Sequence, residues 1–175
     1  MKKPKLTIEL RPSNIDGVGV GVFASVDIKK GKKIADGLTL DDFKHQIPWK
    51  KFNKMEETIK EKIMDFCVGT PDGFVPPEDM NFDLLSADWY FNHSCGGNLG
   101  FDKHGDFVAI TDIKKGEEIT YDYGLVETNP KFEMQCKCND AACRKVLTGE
   151  DWKLLIKDKA KKQFMHPFVL KYAEK

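Results

Sequence analysis

The feature that most constrains the fold of this chain is a cluster of three cysteines within eight residues, Cys136, Cys138 and Cys143, spaced as C-x-C-x4-C. The chain has five cysteines, an odd number that disfavours a framework of disulfides. Three thiolates so close in sequence suit one metal ion, and a structural zinc takes four ligands in a tetrahedron. The spacing therefore predicts a zinc site, rather than free surface thiols, with its fourth ligand from a distant segment.

Two other cysteines are candidates for that fourth ligand, together with the histidines. Cys67 falls on the apolar side of a predicted amphipathic helix, where a buried core thiol is the ordinary interpretation. Cys95 lies in FNHSCGGN, residues 91–98, where an amide, an imidazole, a hydroxyl and a thiol follow one another. A Cys–His nucleophile pair is disfavoured there, because catalytic pairs usually meet from distant sequence. The residues alone leave Cys67 and Cys95 both open.

Charge and hydropathy limit the classes of function. Lys plus Arg and Asp plus Glu are 28 each, and this zero net charge disfavours a general nucleic-acid binder. The length of 175 residues fits one domain. No apolar run approaches the roughly 18 residues of a membrane helix, and the start MKKPKLTIEL lacks the apolar core of a signal peptide. We expect an intracellular protein, nuclear or cytoplasmic, with no membrane partner and no direct contact with nucleic acid.

Hydrophobic periodicity predicts short strands with few helices. DIKKG occurs twice, at 27–31 and 112–116, and predicts a recurring turn rather than a true repeat. GVGVG resembles a phosphate loop, but no Walker lysine follows. The main predicted elements are strands over 6–10 and 20–24, a helix over 52–67, a loop over 69–83, two strands within 107–124 and a helix over 151–164.

Four segments resemble, in order, the motifs of SET-domain protein lysine methyltransferases with a post-SET zinc motif: GVGVFASVDIKKGKKI, FNHSCGGN, GEEITYDYG and CKCNDAACR. The resemblance implies an α+β, mainly β, β-clip-like fold of several small sheets with a pseudoknot, a helical insert and a C-terminal helix. It also implies a SET domain over 6–128 with a variable insert at about 38–83, a post-SET segment over 129–148 and a helical extension over 149–175.

The resemblance carries site residues with it. It implies structural Zn2+ on Cys95, Cys136, Cys138 and Cys143, and catalytic roles for Tyr123 and Tyr121. It implies S-adenosyl-L-methionine as the cofactor, bound by Val18, Gly19, Val20, Gly21, Tyr90, Asn92, His93, Tyr123 and Phe132.

The implied function is S-adenosylmethionine-dependent protein lysine N-methylation, with a histone tail or another basic protein as substrate. The Tyr121 hydroxyl would fill space that further methyl groups need, which predicts monomethylation, with dimethylation as the alternative. The acidic segment 72–88 is a solvated surface or a face that steers a lysine-rich substrate.

Two rival hypotheses stay open, and one departure from the family pattern, the missing Y-x-G tyrosine, supports the first. Ala35 or Asp36 stands where the family often has the tyrosine of a Y-x-G motif, Trp89 where arginine is usual, and Gly97 where proline is frequent. The first rival is a catalytically inactive SET-fold module that binds lysine-containing protein segments. The second is a small zinc-stabilised interaction domain that uses no cofactor.

Overall fold

The computed structural model describes residues 6–174. Residues 1–5, which belong to the lysine-rich start, and residue 175, the last of the predicted extension, lie outside the described part. In that part the strands are β1 (Ile8–Pro12), β2 (Val20–Ala24), β3 (Lys33–Ala35), β4 (Ile47–Pro48), β5 (Val68–Thr70), β6 (Gly73–Val75), β7 (Asn92–His93), β8 (Leu99–Phe101), β9 (Phe107–Ala109), β10 (Glu118–Tyr121), β11 (Glu133–Gln135) and β12 (Val146–Thr148). The helices are α1 (Trp49–Phe52), α2 (Glu57–Phe66), α3 (Trp152–Leu155), α4 (Lys159–Lys162) and α5 (Pro167–Tyr172).

The strands form three sheets. The main sheet has the order β1-β2-β10-β8-β9-β3, and β7 also pairs with β10. β7 and β8 run parallel to β10, whereas the other pairs of this sheet are antiparallel. The smaller sheets are β4-β6-β5 and β11-β12. This confirms the predicted α+β, mainly β architecture of several small sheets. Between residues 6 and 174 every helix is too short or too polar to cross a bilayer.

The two copies of DIKKG pair with each other. Ile28 and Ile113 form an antiparallel bridge in which each N–H donates to the other carbonyl oxygen over 2.8 Å. In each copy the aspartate accepts a backbone N–H of the other copy over 2.9 Å. The repeat therefore joins the turn before β3 to the turn before β10, a pairing that the local sequence did not predict.

The segment between β3 and β7 builds its own small core. Ile47, Phe52, Ile63, Cys67 and Phe74 are buried together there. The helix predicted over 52–67 is broken, because the extended backbone of Glu56 separates α1 from α2. Each helix contributes one buried residue to this cluster, Phe52 from α1 and Ile63 from α2.

Two further expectations are corrected. The predicted loop over 69–83 contains the β5–β6 hairpin, since the Thr70 hydroxyl accepts the N–H groups of Asp72 and Gly73 and closes a tight turn. The helix predicted over 151–164 is divided into α3 and α4, because the side chain of Asp158 caps the start of α4 through the N–H of Ala160.

Candidate functional site

The strands β7 and β10 bring the NHSC and DYG motifs together. Their parallel pairing sets Asn92 beside Thr120 and His93 beside Tyr121. Tyr123 follows at once and begins a 3-10 turn, Tyr123–Leu125. Residues about 30 positions apart in the sequence thus form one surface.

Hydrogen bonds hold the loop after β7 to β10, and two of them involve the side-chain amide of Asn98. The Asn98 amide donates to the Glu118 carbonyl oxygen over 2.9 Å, and its oxygen accepts the N–H of Thr120 over 3.0 Å. The N–H of Ser94 donates to the Tyr121 carbonyl oxygen over 3.0 Å. These bonds satisfy backbone groups that would otherwise be buried without partners, and so they fix the position of Cys95 relative to β10.

His93 is a buried, neutral imidazole with both ring nitrogens engaged. Its Nδ1 accepts the N–H of Tyr123 over 3.1 Å, so the ring proton lies on Nε2. Nε2 is 3.3 Å from the Sγ of Cys95. Burial lowers the pKa of His93 to about 4, against the opposing attraction of Asp122. The ring therefore donates a hydrogen bond toward the Cys95 sulfur at neutral pH.

Three of the four predicted zinc ligands lie together with that imidazole. The Sγ atoms of Cys95, Cys136 and Cys138 and a ring nitrogen of His93 are all within 4.8 Å of one another. The Cys95 and Cys136 sulfurs are 3.9 Å apart, close to the roughly 3.8 Å between two sulfurs on one tetrahedral zinc. The donor set and its spacing fit a zinc ion.

Cys143 borders this group from the other side. Its Sγ lies 4.0 Å from the carbonyl oxygen of Cys136, and it is outside the group of four donors whose atoms lie within 4.8 Å of one another. Burial favours the neutral thiol at Cys138, but N–H groups of Cys95 and Asp140 outweigh this effect and lower the pKa of that thiol to about 6. The cluster thus stabilises a thiolate near neutral pH, as a metal site requires.

Arg144, directly after the last of these cysteines, forms a buried charge cluster. Its guanidinium binds Asp122 through two bonds of 2.8 and 2.6 Å, and its Nε donates to Asp151 over 2.7 Å. The Asp122 side chain is only 1% exposed. Sequence reasoning missed both residues. The only signal for Arg144 was its place directly after Cys143, and the only signal for Asp122 was its place between Tyr121 and Tyr123.

A first cavity, of about 250 Å3, opens beside Tyr121 and Tyr123. Removal from bulk water raises the pKa of both phenols, so they stay protonated. The cavity contains no Lys or Arg among its described lining residues. Its apolar walls include Leu38, Phe66, Trp89, Phe91, Phe107, Val126 and Phe132, and its carboxylates are Asp36, Asp65, Asp88 and Glu127.

A second cavity, of about 270 Å3, lies on the other side of Tyr123. It is lined by residues 15–18 and 134–137 together with Asn92 and His93. Tyr123 is the one residue within 6–174 that borders both cavities, and its hydroxyl donates to the Phe91 carbonyl oxygen over 3.1 Å. The two cavities therefore meet at this phenol.

Part of the predicted cofactor set lines the second cavity. Val18, Asn92, His93 and Tyr123 border it. Gly19 follows on the adjoining loop, where a Cβ would meet nothing within 4 Å. The glycine-rich turn thus leaves open space for a ligand.

The other predicted cofactor residues have different neighbours. The Val20 carbonyl oxygen accepts the Asn92 amide over 2.8 Å. Gly21 makes room for the Glu118 carboxylate, which a Cβ would approach to 2.3 Å. Tyr90 packs edge-on against Phe66, and Phe132 lines the first cavity. Their cofactor roles stay predictions.

The wall that a Y-x-G tyrosine would form is built differently here. Ala35 ends β3, and the carboxylate of Asp36 points to solvent, with its side chain 93% exposed. Gly37 passes so close to the Gly105 carbonyl oxygen that a Cβ would lie 2.0 Å from it. Leu38 and aromatic rings therefore take the place of a phenol on this side of the first cavity.

Comparison with known proteins places these features in a family. The protein-family model described as the SET domain matches residues 19–124, more than half of the chain. That span contains both the β7 and the β10 motifs.

Curated relatives match different shares of the chain. "Histone-lysine N-methyltransferase ash1" of Drosophila melanogaster is 27% identical over 144 residues, which cover 75% of this chain and 6% of that protein. "Putative histone-lysine N-methyltransferase ASHH4" of Arabidopsis thaliana is 27% identical over 159 residues, 77% of this chain and 38% of that protein. "Histone-lysine N-methyltransferase, H3 lysine-9 specific" of Schizosaccharomyces pombe is 36% identical over 84 residues, 34% of this chain and 17% of that protein. The chain thus spans well under half the length of these relatives.

Proposed function

Because the chain belongs to the SET domain family, we propose that it is an S-adenosylmethionine-dependent protein lysine N-methyltransferase. The observation that carries the proposal is the meeting of two cavities at Tyr123. One is lined by aromatic rings and carboxylates, which suits a lysine side chain, and the other lies against the glycine-rich turn. A methyl transfer needs one site for the acceptor amine and one for the methyl donor, with both open to the point where the methyl group passes between them.

The second cavity is the proposed site of S-adenosylmethionine. Val18, Asn92 and His93 would hold it, with Gly19, Val20, Gly21, Tyr90 and Phe132 as the further predicted contacts. When bound, it supplies an electrophilic methyl group on a positively charged sulfur. The cavity volume is near the lower end of the range for ligand sites, and the open space at Gly19 fits a ligand that rests on the backbone.

The first cavity prepares the attacking lysine. A free lysine has a pKa of about 10.4 and must lose a proton to become a nucleophile. The apolar and aromatic walls exclude water and so favour the neutral amine, and the positive sulfur of the bound cofactor would act in the same direction, against the carboxylates of the cavity. The hydroxyl of Tyr123 donates its proton to the Phe91 carbonyl oxygen. The lone pairs of the phenol oxygen are therefore free to accept weak C–H···O contacts. Holding the reacting atoms in line would supply much of the rate.

The proposed zinc site has four thiolates, Cys95, Cys136, Cys138 and Cys143, and His93 is a neighbour rather than a ligand. Ligation through Nε2 would require the proton of the neutral ring to move to Nδ1, where it would face the N–H of Tyr123. Two donors would then oppose each other in a buried place. Cys143 is the remaining candidate, since its sulfur lies 4.0 Å from the Cys136 carbonyl oxygen and it belongs to the C-x-C-x4-C motif.

The proposed substrate is a histone tail or another basic protein, and the proposed product is monomethyl-lysine. An open groove of about 510 Å3 adjoins the first cavity and shares Leu38 and Trp89 with it. Asp42, Glu78 and Asp79 line this groove. Their negative charges favour a basic partner over an acidic one.

The domain limits follow the same proposal. We assign the SET domain to 6–128, its insert to about 38–83, the post-SET segment to 129–148 and the helical extension to the residues that follow. The β11–β12 hairpin and the cysteine cluster both fall in the post-SET segment.

A non-catalytic module is the second candidate, and Ala35 is the observation that favours it. To separate the two, the protein is incubated with S-adenosylmethionine, core histones and unfractionated cell protein, and modified lysines are identified by mass spectrometry. Methylation by the wild type that disappears in Tyr123→Phe supports the enzyme. Cofactor binding with no modified lysine in any fraction would instead support the binding module.

A further inference from the structure

Two hydrogen-bond routes connect Cys95 to the turn that carries Tyr123. In the first, the Cys95 sulfur accepts from His93 Nε2 over 3.3 Å, and His93 Nδ1 accepts the N–H of Tyr123 over 3.1 Å. In the second, the Cys95 sulfur accepts the N–H of Arg144 over 3.4 Å, and the Arg144 guanidinium binds Asp122. Asp122 and Tyr123 are consecutive, so the routes close a ring.

Three members of this ring, Cys95, His93 and Asp122, are buried, and Arg144 and Tyr123 are partly buried. His93 and Asp122 are 5% and 1% exposed, and the Asp122 carboxylate also accepts the N–H of Gly124 over 3.1 Å. The backbone of Tyr123 is thus fixed by His93 at its own N–H and by Asp122 at the next N–H. Bonds between ionised groups are strong and directional when water is excluded, so the bidentate contact of Arg144 sets the orientation of Asp122.

We propose that Arg144 is a positioning residue that couples metal occupancy at the cysteine cluster to ligand binding in the second cavity and to the placement of Tyr123. Its backbone contacts the Cys95 sulfur while its side chain holds the tyrosine turn. The inference rests on the proposed function for its effect on turnover, but not for its effect on metal and cofactor affinity.

A purely structural role for Arg144 would be to neutralise two buried carboxylates. The second of these, Asp151, distinguishes the two roles, because it binds Arg144 Nε at the start of α3 and lies outside the ring. Asp151→Asn removes a buried ion pair of similar length but keeps the ring closed. It is therefore the matched control for Asp122→Asn.

The coupling has a thermodynamic consequence that does not involve catalysis. If zinc strengthens the binding of S-adenosylhomocysteine by some factor, S-adenosylhomocysteine must strengthen the binding of zinc by the same factor. Cys136 and Lys137 border the second cavity, so part of this factor is direct contact. The rest of the coupling factor depends on Arg144, and substitution of Arg144 should remove that part.

The test uses the full chain as wild type, Arg144→Lys, Asp122→Asn and Asp151→Asn. Zinc affinity is measured by chelator competition with and without saturating S-adenosylhomocysteine, and the affinity for S-adenosylhomocysteine by calorimetry on the zinc-loaded protein. Arg144→Lys keeps the charge, so the carboxylates are not left unpaired, and circular dichroism checks the fold.

Arg144→Lys and Asp122→Asn keep the backbone N–H of residue 144 on the Cys95 sulfur but break the bidentate contact with the tyrosine turn. We therefore expect the loss in the coupling between zinc and S-adenosylhomocysteine, which is commonly about 5- to 150-fold. In both variants the coupling factor should fall toward one, whereas Asp151→Asn should keep the wild-type factor. Equal losses in all three variants, or a wild-type factor of one, would overturn the inference.

Turnover separates this inference from the proposed function. If the wild type shows the coupling but methylates nothing, the proposed activity fails and the role of Arg144 stands. If the wild type methylates but the coupling survives in Arg144→Lys and Asp122→Asn, the proposed activity stands and the role of Arg144 fails. A wild type that does not bind S-adenosylhomocysteine would refute both.

Discussion

The N–H of Tyr123 lies 3.1 Å from Nδ1 of His93, and this contact decides the tautomer of a histidine that stands beside three thiols. A histidine near cysteines would ordinarily be counted as a ligand. Here its only ring proton faces the Cys95 sulfur, so in the proposed zinc site the imidazole would support a ligand from outside the coordination sphere.

Metal analysis of two variants checks this assignment. His93→Gln should retain one zinc per chain, with affinity lower by about 10- to 100-fold, because only a hydrogen bond to a ligand is lost. Cys143→Ser should lose stoichiometric zinc. Mass spectrometry under non-denaturing conditions counts the metal in each. Full zinc in Cys143→Ser together with none in His93→Gln would reverse the ligand assignment.

Replacement of Tyr121 should change the number of methyl groups added. Tyr121→Phe removes a hydroxyl from the wall of the first cavity and leaves space for a methylated amine. We expect the product to shift from monomethyl- toward di- and trimethyl-lysine, measured by mass spectrometry of a modified peptide. The control is Tyr172→Phe in α5, where the tyrosine ring packs against Trp152 of α3. An unchanged product distribution in Tyr121→Phe would contradict the proposed role.

Glu127 should give the protein an unusual dependence of stability on pH. Burial raises the pKa of Glu127 to about 7 from its ordinary 4.5, although N–H groups of Gly69 and Asn129 bind the carboxylate. Between these values the folded state binds more protons than the unfolded state, so the contribution of Glu127 to stability falls as pH rises from about 4.5 to about 7. The loss is about 3 kcal/mol.

Glu127→Gln removes this titration. Its free energy of unfolding, relative to wild type, should therefore rise by about 3 kcal/mol between pH 4.5 and 7, whatever constant cost the lost hydrogen bond adds. Urea unfolding at several pH values measures the difference, with Glu57→Gln, at an exposed carboxylate paired with Lys60, as the control. Parallel curves for wild type and Glu127→Gln would show that Glu127 is ionised throughout this range.

His166 should act in the opposite direction. Burial lowers the pKa of His166 to about 4 from 6.5, and its side chain is bound to the Leu38 carbonyl oxygen. The unfolded state binds more protons between these values, so the stabilising contribution of His166 is present above pH 6.5 and is lost as pH falls to about 4.

In His166→Asn the acid-sensitive contribution is gone. Relative to wild type, its free energy of unfolding should fall as pH rises from 4 to 6.5, by about 3 kcal/mol. The asparagine keeps an acceptor at the N-cap of α5, where His166 accepts the N–H of Phe168. His93 titrates in both proteins and cancels in the comparison. A constant difference across the range would refute the assignment to His166.

The local sequence was enough for some elements. Val20–Ala24 was predicted with its observed bounds, since a short β-branched run between turns has few alternatives. The helix over 52–67 was less accurate, because its periodicity continues through Glu56 although the backbone does not. Periodicity records which face is buried, not whether one helix or two present it.

Contacts between distant segments lay beyond sequence reasoning. The motif order brought Cys95 and the DYG turn into one hypothesis, but nothing near Arg144 indicates a partner 22 residues earlier at Asp122. Glu127 is similar, since its raised pKa depends on burial and its carboxylate accepts the N–H of Gly69 from the β4-β6-β5 sheet, far away in sequence. Such effects arise only when the chain is folded.

The division of the site at Tyr123 has a consequence for inhibitor design. A single molecule that fills both cavities must be narrow where it passes the Tyr123 ring, with one end suited to aromatic walls and carboxylates and the other to the turn around Val18. Compounds that combine both ends could exceed the affinity of either half, provided that the link matches the distance between the two sites. The length of that link, varied one atom at a time, would measure the passage between the cavities.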